Sequence, residues 1–432
     1  MSYKRTLAIT WLALLYSAMF YLQFSHRILL DFSSFYQAAL AITQHMNPYQ
    51  VLTTTFPPIG KKLPTNLNPP SVLWLLQPLV CISYTKGLML WSAMSTFCGI
   101  QAANITYAAL KKHAPGFTLA KIDFWIIYFS LFCVFMNTAI GQVGAFIFFF
   151  ALKGYDAIEH KKQIQAGLYW GIIAAFKFFP LLLLVYALLR RQWATATILV
   201  LSFTALTLAP LIFYGQNLYI NYFIIIKKVF WYGDSWNASL FGYLFRLFID
   251  ANDRMQPVAW LRHITLGLSM VVGLGYLRTS QNLIKQQHDF TAFCLTLVTM
   301  LLLSPLGWLY YFQLLLPAGL LIWHHINRTT DATSKSLIIG FMALALLNTP
   351  IVYITSLHMT TLIPVLTFYS CHFYGLVLAF IFLSQSDSLI PAKAVQLDDT
   401  GLMNTTLLII IILGVLLPSY YIAVEFFKDL RF

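Results

Sequence analysis

The sequence predicts an all-α protein that crosses a membrane many times. Of its 432 residues, 59% are hydrophobic and only 9% are charged, against about 25% charged in a soluble globular domain. The apolar residues form continuous runs such as TLLIIIILGVLL, without the period-two alternation of a membrane β-barrel. Only helices then remain to satisfy the backbone hydrogen bonds in lipid.

The predicted spanning segments are apolar runs that carry few charges. They lie near residues 7–24, 71–85, 87–110, 122–137, 139–153, 164–189, 194–214, 257–277, 289–303, 305–323, 336–355, 361–384 and 402–423. Several are short, so at about 20 residues per span we expect roughly 10 to 13 transmembrane helices. Lys4 and Arg5 precede the first segment, which predicts a retained span with a cytoplasmic N-terminus. Segment 164–189 contains Lys177 and Pro180, and it is either one kinked span or two half-helices.

Two connections are long enough to hold chemistry, at residues 25–70 and 215–256. We expect both to form outer loops of a membrane core at 1–325, with further transmembrane helices at 326–432. The first loop faces outside if the N-terminus faces the cytoplasm.

The first loop also contains an amphipathic pattern. In DFSSFYQAALAI, apolar residues recur at helical spacing from Phe32, which predicts a juxtamembrane helix lying at the membrane surface. Asp31 begins this helix on the side opposite the apolar stripe, together with Ser34 and Ala38. It is either a functional carboxylate or simply the N-cap of the helix.

The net charge of +13 comes from basic residues scattered in ones and twos, which is typical of topology determinants and lipid contacts rather than of nucleic-acid binding. The five cysteines lie in or beside apolar stretches without metal-ligand spacing. We therefore expect no metal site and no cofactor.

Six segments, taken in order, resemble glycosyltransferase family 87 over residues 1 to about 325. They are DFSSFYQAALAITQHMNPY (31–49), NPPSVLWLLQPL (68–79), GQVGAFIFFFALKG (141–154), AAFKFFPLLLLVYALLRRQW (174–193), WNASLFG (236–242) and SPLGWLYYFQLLLP (304–317). The last segment departs from the family pattern, because it has Tyr310 near the position where family members often have a histidine.

The resemblance implies a C-type glycosyltransferase fold and a polyprenyl-phosphate sugar donor. The reaction is then inverting transfer of a hexose or pentose to a glycan or glycolipid acceptor at the outer face of the membrane, and mannose is suggested only by analogy with relatives. The resemblance gives Asp31 the role of general base. Such a donor does not oblige the enzyme to use a metal-binding D-x-D pair, so we expect metal independence. A bacterial inner membrane would suit this chain.

Cations are needed to stabilise the departing phosphate. Lys177 is the leading candidate, because a charge within an apolar segment costs about 2.5–3.5 kcal/mol on insertion and is usually functional; the alternative is a lysine that snorkels to the interface. Arg27 either binds the phosphate or pairs with Asp31.

Further residues are candidates for contacts with the sugar or the acceptor. These are Tyr49, Asn68, Gln142, Asp234, Trp236, Asn237, Trp308 and Tyr310. The aromatic residues of the second loop can equally belong to a belt at the membrane interface. We expect the two outer loops to form the aqueous site.

A different class of function is a lipid or small-solute transporter or flippase. Coupled transporters usually bury carboxylates in mid-span, and the predicted spans contain essentially none. A non-catalytic relative is a further alternative, which the presence of Asp31 disfavours.

Overall fold

The protein is described here from a computed structural model of the chain. The structure describes residues 3–25, 30–227, 231–249, 259–327, 334–350, 366, 368–385, 412, 414–416 and 418–424. Within these ranges the chain is helical and has no strand, only two isolated bridges between extended residues.

Most of the α-helices follow one another with short connections, and a longer segment, 44–69, separates α2 from α3. In chain order they are α1 Tyr3–Phe24, α2 Asp31–Thr43, α3 Pro70–Leu76, α4 Tyr84–His113, α5 Lys121–Ser130, α6 Phe132–Ile140, α7 Gly144–Glu159, α8 Gln163–Phe176, α9 Leu182–Leu189, α10 Trp193–Tyr214, α11 Gln216–Lys227, α12 Leu240–Phe248, α13 Ala259–Lys285, α14 Asp289–Leu303, α15 Leu316–Ile326, α16 Ser334–Leu347 and α17 Cys371–Ser384. Short 3₁₀ turns occupy Gln77–Cys81, Phe179–Leu181, Trp231–Gly233, Leu309–Leu315 and Phe368–Ser370.

The chain divides into two compact units. The first comprises Met1–Leu15, Ala103–Phe135 and Phe230–Phe432, and the second comprises Tyr16–Ala102 and Met136–Val229. Each unit has its own apolar interior.

In the second unit, α8 packs closely on α7 and α10. Small residues make this approach possible: a Cβ at Gly167 would lie 2.7 Å from the carbonyl oxygen of Thr195 and 2.7 Å from Cβ of Ile198. Gly171, four residues later, also faces α10 without room for a Cβ. A small-xxx-small spacing of this kind lets apolar helices pack backbone to backbone in membranes.

In the first unit, α14 is the central helix. All of its residues from Phe290 to Leu302 are buried, and it packs against α13, α15 and α17. A helix surrounded by protein on every side has no polar face, which explains why its sequence shows no amphipathic pattern.

Most of the predicted apolar segments are helices in the structure, and α1, α10 and α14 match the predicted bounds to within a few residues. The predicted segment 122–137 is instead two helices, α5 and α6, which meet at 57°. At this break the side-chain oxygen of Asn348 accepts a hydrogen bond from the backbone N–H of Phe132 (2.9 Å). The predicted segment 402–423 lies largely outside the described residues.

Two of the described helices, α1 and α10, are long and apolar enough to cross a membrane, and the bent pair α5–α6 makes a third if it forms one broken span. The larger number of spans stays a prediction. Segment 164–189 breaks at Lys177, between α8 and the 3₁₀ turn that precedes α9.

The two long loops contain helices. The amphipathic pattern of the first loop forms α2, as predicted, but the side expected to face water is buried. Ser34 on that side donates a hydrogen bond to the carbonyl of Pro64 (3.1 Å), because the segment before α3 covers it. The second loop contains α11 and α12.

The tight contact between α8 and α10 generates a stability prediction. We expect Gly167→Ala to lower the unfolding free energy by about 1–3 kcal/mol, because the added Cβ meets backbone that cannot step aside. The matched control is Gly267→Ala in α13, where a Cβ would have nothing within 4 Å and should be neutral or slightly stabilising. Thermal unfolding in detergent measures both, and equal unfolding temperatures for the two variants would contradict the tight contact.

Candidate functional site

The carboxylate of Asp31 lies at the start of α2 and has a specific partner. The side-chain amide of Gln142 donates to Asp31 Oδ2 at 2.5 Å. The oxygen of the same amide accepts from the backbone N–H of Val143 (3.2 Å), so the amide is oriented with its nitrogen toward Asp31. This hydrogen bond joins the first residue of α2 to a turn that lies 111 positions later in the sequence.

Gly141 allows that turn to approach α2. Its φ of +69° lies in the left-handed region, and a Cβ there would come within 2.8 Å of Cβ of Phe32. The carbonyl of Gly141 accepts a hydrogen bond from the indole of Trp91 (2.8 Å). A side chain at this position would be strained and would collide with Phe32, so glycine here lets the turn place Gln142 beside Asp31.

Asp31 is not the N-cap of α2. The capping position is Leu30, whose backbone N–H donates to Ser33 Oγ (3.2 Å). The interpretation of Asp31 as a capping residue is therefore wrong, and its carboxylate is bonded to Gln142 instead.

Lys177 supplies positive charge to the same site. It lies at the break after α8 with an extended backbone (φ −149°, ψ 140°), and its charge acts on Asp31. Removal from water raises the pKa of the Asp31 carboxyl above its usual value, while the hydrogen bond from Gln142 and the charge of Lys177 partly lower it.

Tyr49 and Asn68 lie in the same unit and contact each other. The hydroxyl of Tyr49 donates to the carbonyl of Asn68 (3.1 Å), and the Tyr49 ring packs against Tyr222 with centroids 5.5 Å apart. Ser71 then donates to the carbonyl of Ala175 (2.6 Å), which ties the start of α3 to the end of α8, two residues before Lys177.

The other candidates lie in the first unit, where two turns pair. Asn237 and Trp308 form an isolated antiparallel bridge, and the backbone N–H of Leu309 donates to the carbonyl of Trp236 (2.9 Å). The rings of Trp308 and Tyr310 stack with centroids 6.1 Å apart. The pairing therefore brings together two segments that are about 70 residues apart in the sequence.

Asn237 holds these two turns together with its side chain. Its nitrogen donates to the carbonyls of Tyr232 (2.9 Å) and Pro305 (3.0 Å), and its oxygen accepts from the backbone N–H groups of Ser239 (3.2 Å) and Gly307 (2.9 Å). This uses the full hydrogen-bonding capacity of an amide, and Asn237 is 0% exposed. Its observed role is structural.

Sequence reasoning missed Arg246, which is only 6% exposed. The guanidinium donates from Nη1 to the carbonyls of Asp234 and Asn237 (both 2.8 Å), and from Nε to Ser370 Oγ (3.3 Å). It thereby fixes the Trp231–Gly233 turn region to α12 and to the start of α17. The sequence does contain a feature that distinguishes Arg246, because this charged residue interrupts an apolar run just as Lys177 does.

The structure thus places the predicted residues in two separate units. Asp31, Gln142, Lys177, Tyr49 and Asn68 lie in the second unit, and Asp234, Trp236, Asn237, Trp308 and Tyr310 lie in the first. Arg27 lies outside the described residues. Over the described ranges, no three His, Cys, Asp or Glu side chains are grouped as metal ligands.

A sequence model of glycosyltransferase family 87 matches residues 66–305, more than half of the chain. The chain belongs to glycosyltransferase family 87. It is therefore a glycosyltransferase, and its apolar helices make it a membrane protein. The matched region includes Asn68, Gln142 and Lys177, whereas Asp31 precedes it. No curated protein and no solved structure matches the chain.

The role of Asn237 can be tested by changing one atom. In Asn237→Asp an oxygen replaces the nitrogen that donates to two carbonyls, so we expect a loss of about 2 kcal/mol or more in unfolding free energy. Asn217→Asp, the same change at an exposed position of α11, is the control and should unfold close to the wild type. Unchanged thermal unfolding of Asn237→Asp in detergent would show that the amide does not hold the two turns.

Proposed function

We propose that this family 87 enzyme transfers a hexose or pentose from a polyprenyl-phosphate donor to a glycan or glycolipid acceptor, with inversion, at the outer face of a bacterial inner membrane. The proposal includes the C-type glycosyltransferase fold with roughly 10 to 13 spans. One observation carries it: a carboxylate, Asp31, hydrogen-bonded to Gln142 and acted on by the charge of Lys177 within a single unit.

The proposed chemistry needs one base. The acceptor hydroxyl gives its proton to the Asp31 carboxylate as its oxygen forms a bond to the anomeric carbon. The bond from that carbon to the phosphate oxygen breaks, and its electron pair leaves with the polyprenyl phosphate. Attack on the face opposite the leaving group inverts the anomeric centre.

The electrostatics suit these roles. A base works best when its pKa lies near the operating pH, and removal from water raises the pKa of Asp31 in that direction. Lys177, with Arg27 as a second proposed cation, stabilises the negative charge that develops on the departing phosphate. Because side-chain cations take this part, the proposed reaction is independent of metal.

The remaining candidates are assigned to substrate binding. Tyr49 and Asn68 are proposed to contact the sugar or acceptor near Asp31, and Trp236, Trp308 and Tyr310 are proposed to stack on sugar rings, since flat aromatic faces suit the apolar faces of sugars.

The decisive experiment offers the purified protein a panel of short-chain polyprenyl-phosphate sugars in EDTA, with release of polyprenyl phosphate as the readout. We expect turnover of one donor, and a loss of about 10²- to 10⁴-fold in Asp31→Asn, since that is what a general base contributes. The variant should fold normally in thermal unfolding.

The control for this experiment is Asp156→Asn, the same change in a half-exposed carboxylate of α7, which should keep wild-type turnover. Full activity of Asp31→Asn would remove Asp31 from catalysis, and activity that disappears in EDTA and returns with a divalent cation would contradict metal independence.

The bond from Gln142 gives a prediction about pH. Gln142 lowers the pKa of Asp31, so Gln142→Leu should raise it, and the acidic limb of the kcat/KM profile should move to higher pH because the base must be ionised. Gln216→Leu, at an exposed position of α11, should leave the profile unchanged. A limb that stays in place in Gln142→Leu would show that Asp31 is not the group that titrates.

A further inference from the structure

Two asparagines of the segment that precedes α3 form a hydrogen-bonded pair of amides. The side-chain oxygen of Asn66 accepts from the backbone N–H of Asn68 (2.7 Å) and from the side-chain nitrogen of Asn68 (2.9 Å). A backbone N–H can only donate, so it fixes which atom of the Asn66 amide is the oxygen. That oxygen in turn fixes the nitrogen of the Asn68 amide.

The orientation leaves one donor and one acceptor without a partner in the part of the chain that the structure describes. They are the side-chain nitrogen of Asn66 and the side-chain oxygen of Asn68, the outer atoms of the amide pair. Asn66 is 3% and Asn68 is 2% exposed. Buried polar groups are nearly always hydrogen-bonded, so such a pair calls for a partner that both accepts and donates.

Contacts on either side of the pair link its segment to the segments that carry Asp31 and Lys177. Two residues before Asn66, the carbonyl of Pro64 accepts from Ser34, one turn after Asp31. Three residues after Asn68, Ser71 donates to the carbonyl of Ala175, shortly before Lys177. All of these residues lie in the second unit.

We propose that Asn66 and Asn68 recognise hydroxyl groups of the transferred sugar and so select which sugar the enzyme accepts. This inference rests on the proposed function. A hydroxyl both donates and accepts, so one hydroxyl, or two adjacent ones, satisfies the two outer atoms, whereas a phosphate oxygen would satisfy only the donor. Neither atom is open to solvent, so a hydroxyl reaches them only when part of the surrounding chain moves.

The selectivity should be strong at one ring position. A buried site that hydrogen-bonds a substrate hydroxyl discriminates by up to about 10⁴–10⁵-fold against the analogue that lacks it, because the polar groups of the protein are then left unpaired. For analogues that lack a hydroxyl at another ring position, we expect a much smaller decrease in kcat/KM.

The experiment measures kcat/KM for the accepted polyprenyl-phosphate sugar and for each of its monodeoxy analogues. In the wild type we expect kcat/KM for one analogue to be at least about 100-fold lower than for the accepted sugar. This ratio is the penalty for the missing hydroxyl. In Asn66→Asp, which keeps the oxygen that Asn68 needs and replaces the free donor with a charged acceptor, that penalty should change at least tenfold. Asn68→Ala, which removes the free acceptor, tests the pair again if Asn66→Asp does not fold.

The control is Asn217→Asp, at an exposed position of the same unit, which should keep the wild-type pattern. If the variants slow all donors equally, the pair binds only water or serves folding, and the inference is overturned while the proposed function stands. If the wild type turns over no donor, the proposed function fails and the inference fails with it.

Discussion

The arrangement around Asp31 depends on one constraint: a carboxylate that is partly withdrawn from water needs a compensating partner. Gln142 is that partner, and it reaches Asp31 because Gly141 adopts a left-handed conformation that brings its turn against α2. The indole of Trp91 holds the carbonyl of this glycine. The start of α2, the turn before α7 and α4 are therefore linked beside one charged group.

The sequence predicts the helices well where composition alone decides them. The bounds of α1, α10 and α14 follow from uninterrupted apolar runs, and the break at Lys177 follows from the charge and from Pro180. The break between α5 and α6 could not be predicted, because the side chain that caps it, Asn348, is 216 residues away from its partner.

The site was predictable by residue type but not by pairing. Asp31 and Lys177 are conspicuous because charges are rare in this chain, and Gln142 belongs to a segment that resembles the family. The contact between Asp31 and Gln142 spans 111 positions of the sequence, and no local pattern encodes it. Arg246 also interrupts an apolar run, as Lys177 does. Its guanidinium, however, is hydrogen-bonded to backbone carbonyls and holds the fold together.

The hydrogen bonds of the buried asparagines distinguish a structural role from a proposed binding role of the same residue type. The side-chain nitrogen and oxygen of Asn237 are fully hydrogen-bonded to backbone groups, and the residue thereby links two turns. Asn66 and Asn68 each have one side-chain polar atom without a hydrogen-bond partner in the described part of the chain. From the sequence, Asn68 and Asn237 receive the same interpretation, because an amide reveals its role only through its neighbours.

The position of Lys177 at the end of α8 has a consequence for the stability of that helix. The carboxyl end of a helix carries a partial negative charge of about half an electron, and Lys177 is the residue that follows its last turn. A lysine at this end of a helix interacts favourably with that partial charge. The residue proposed to bind the donor phosphate therefore also favours the end of α8 at the place where the chain breaks.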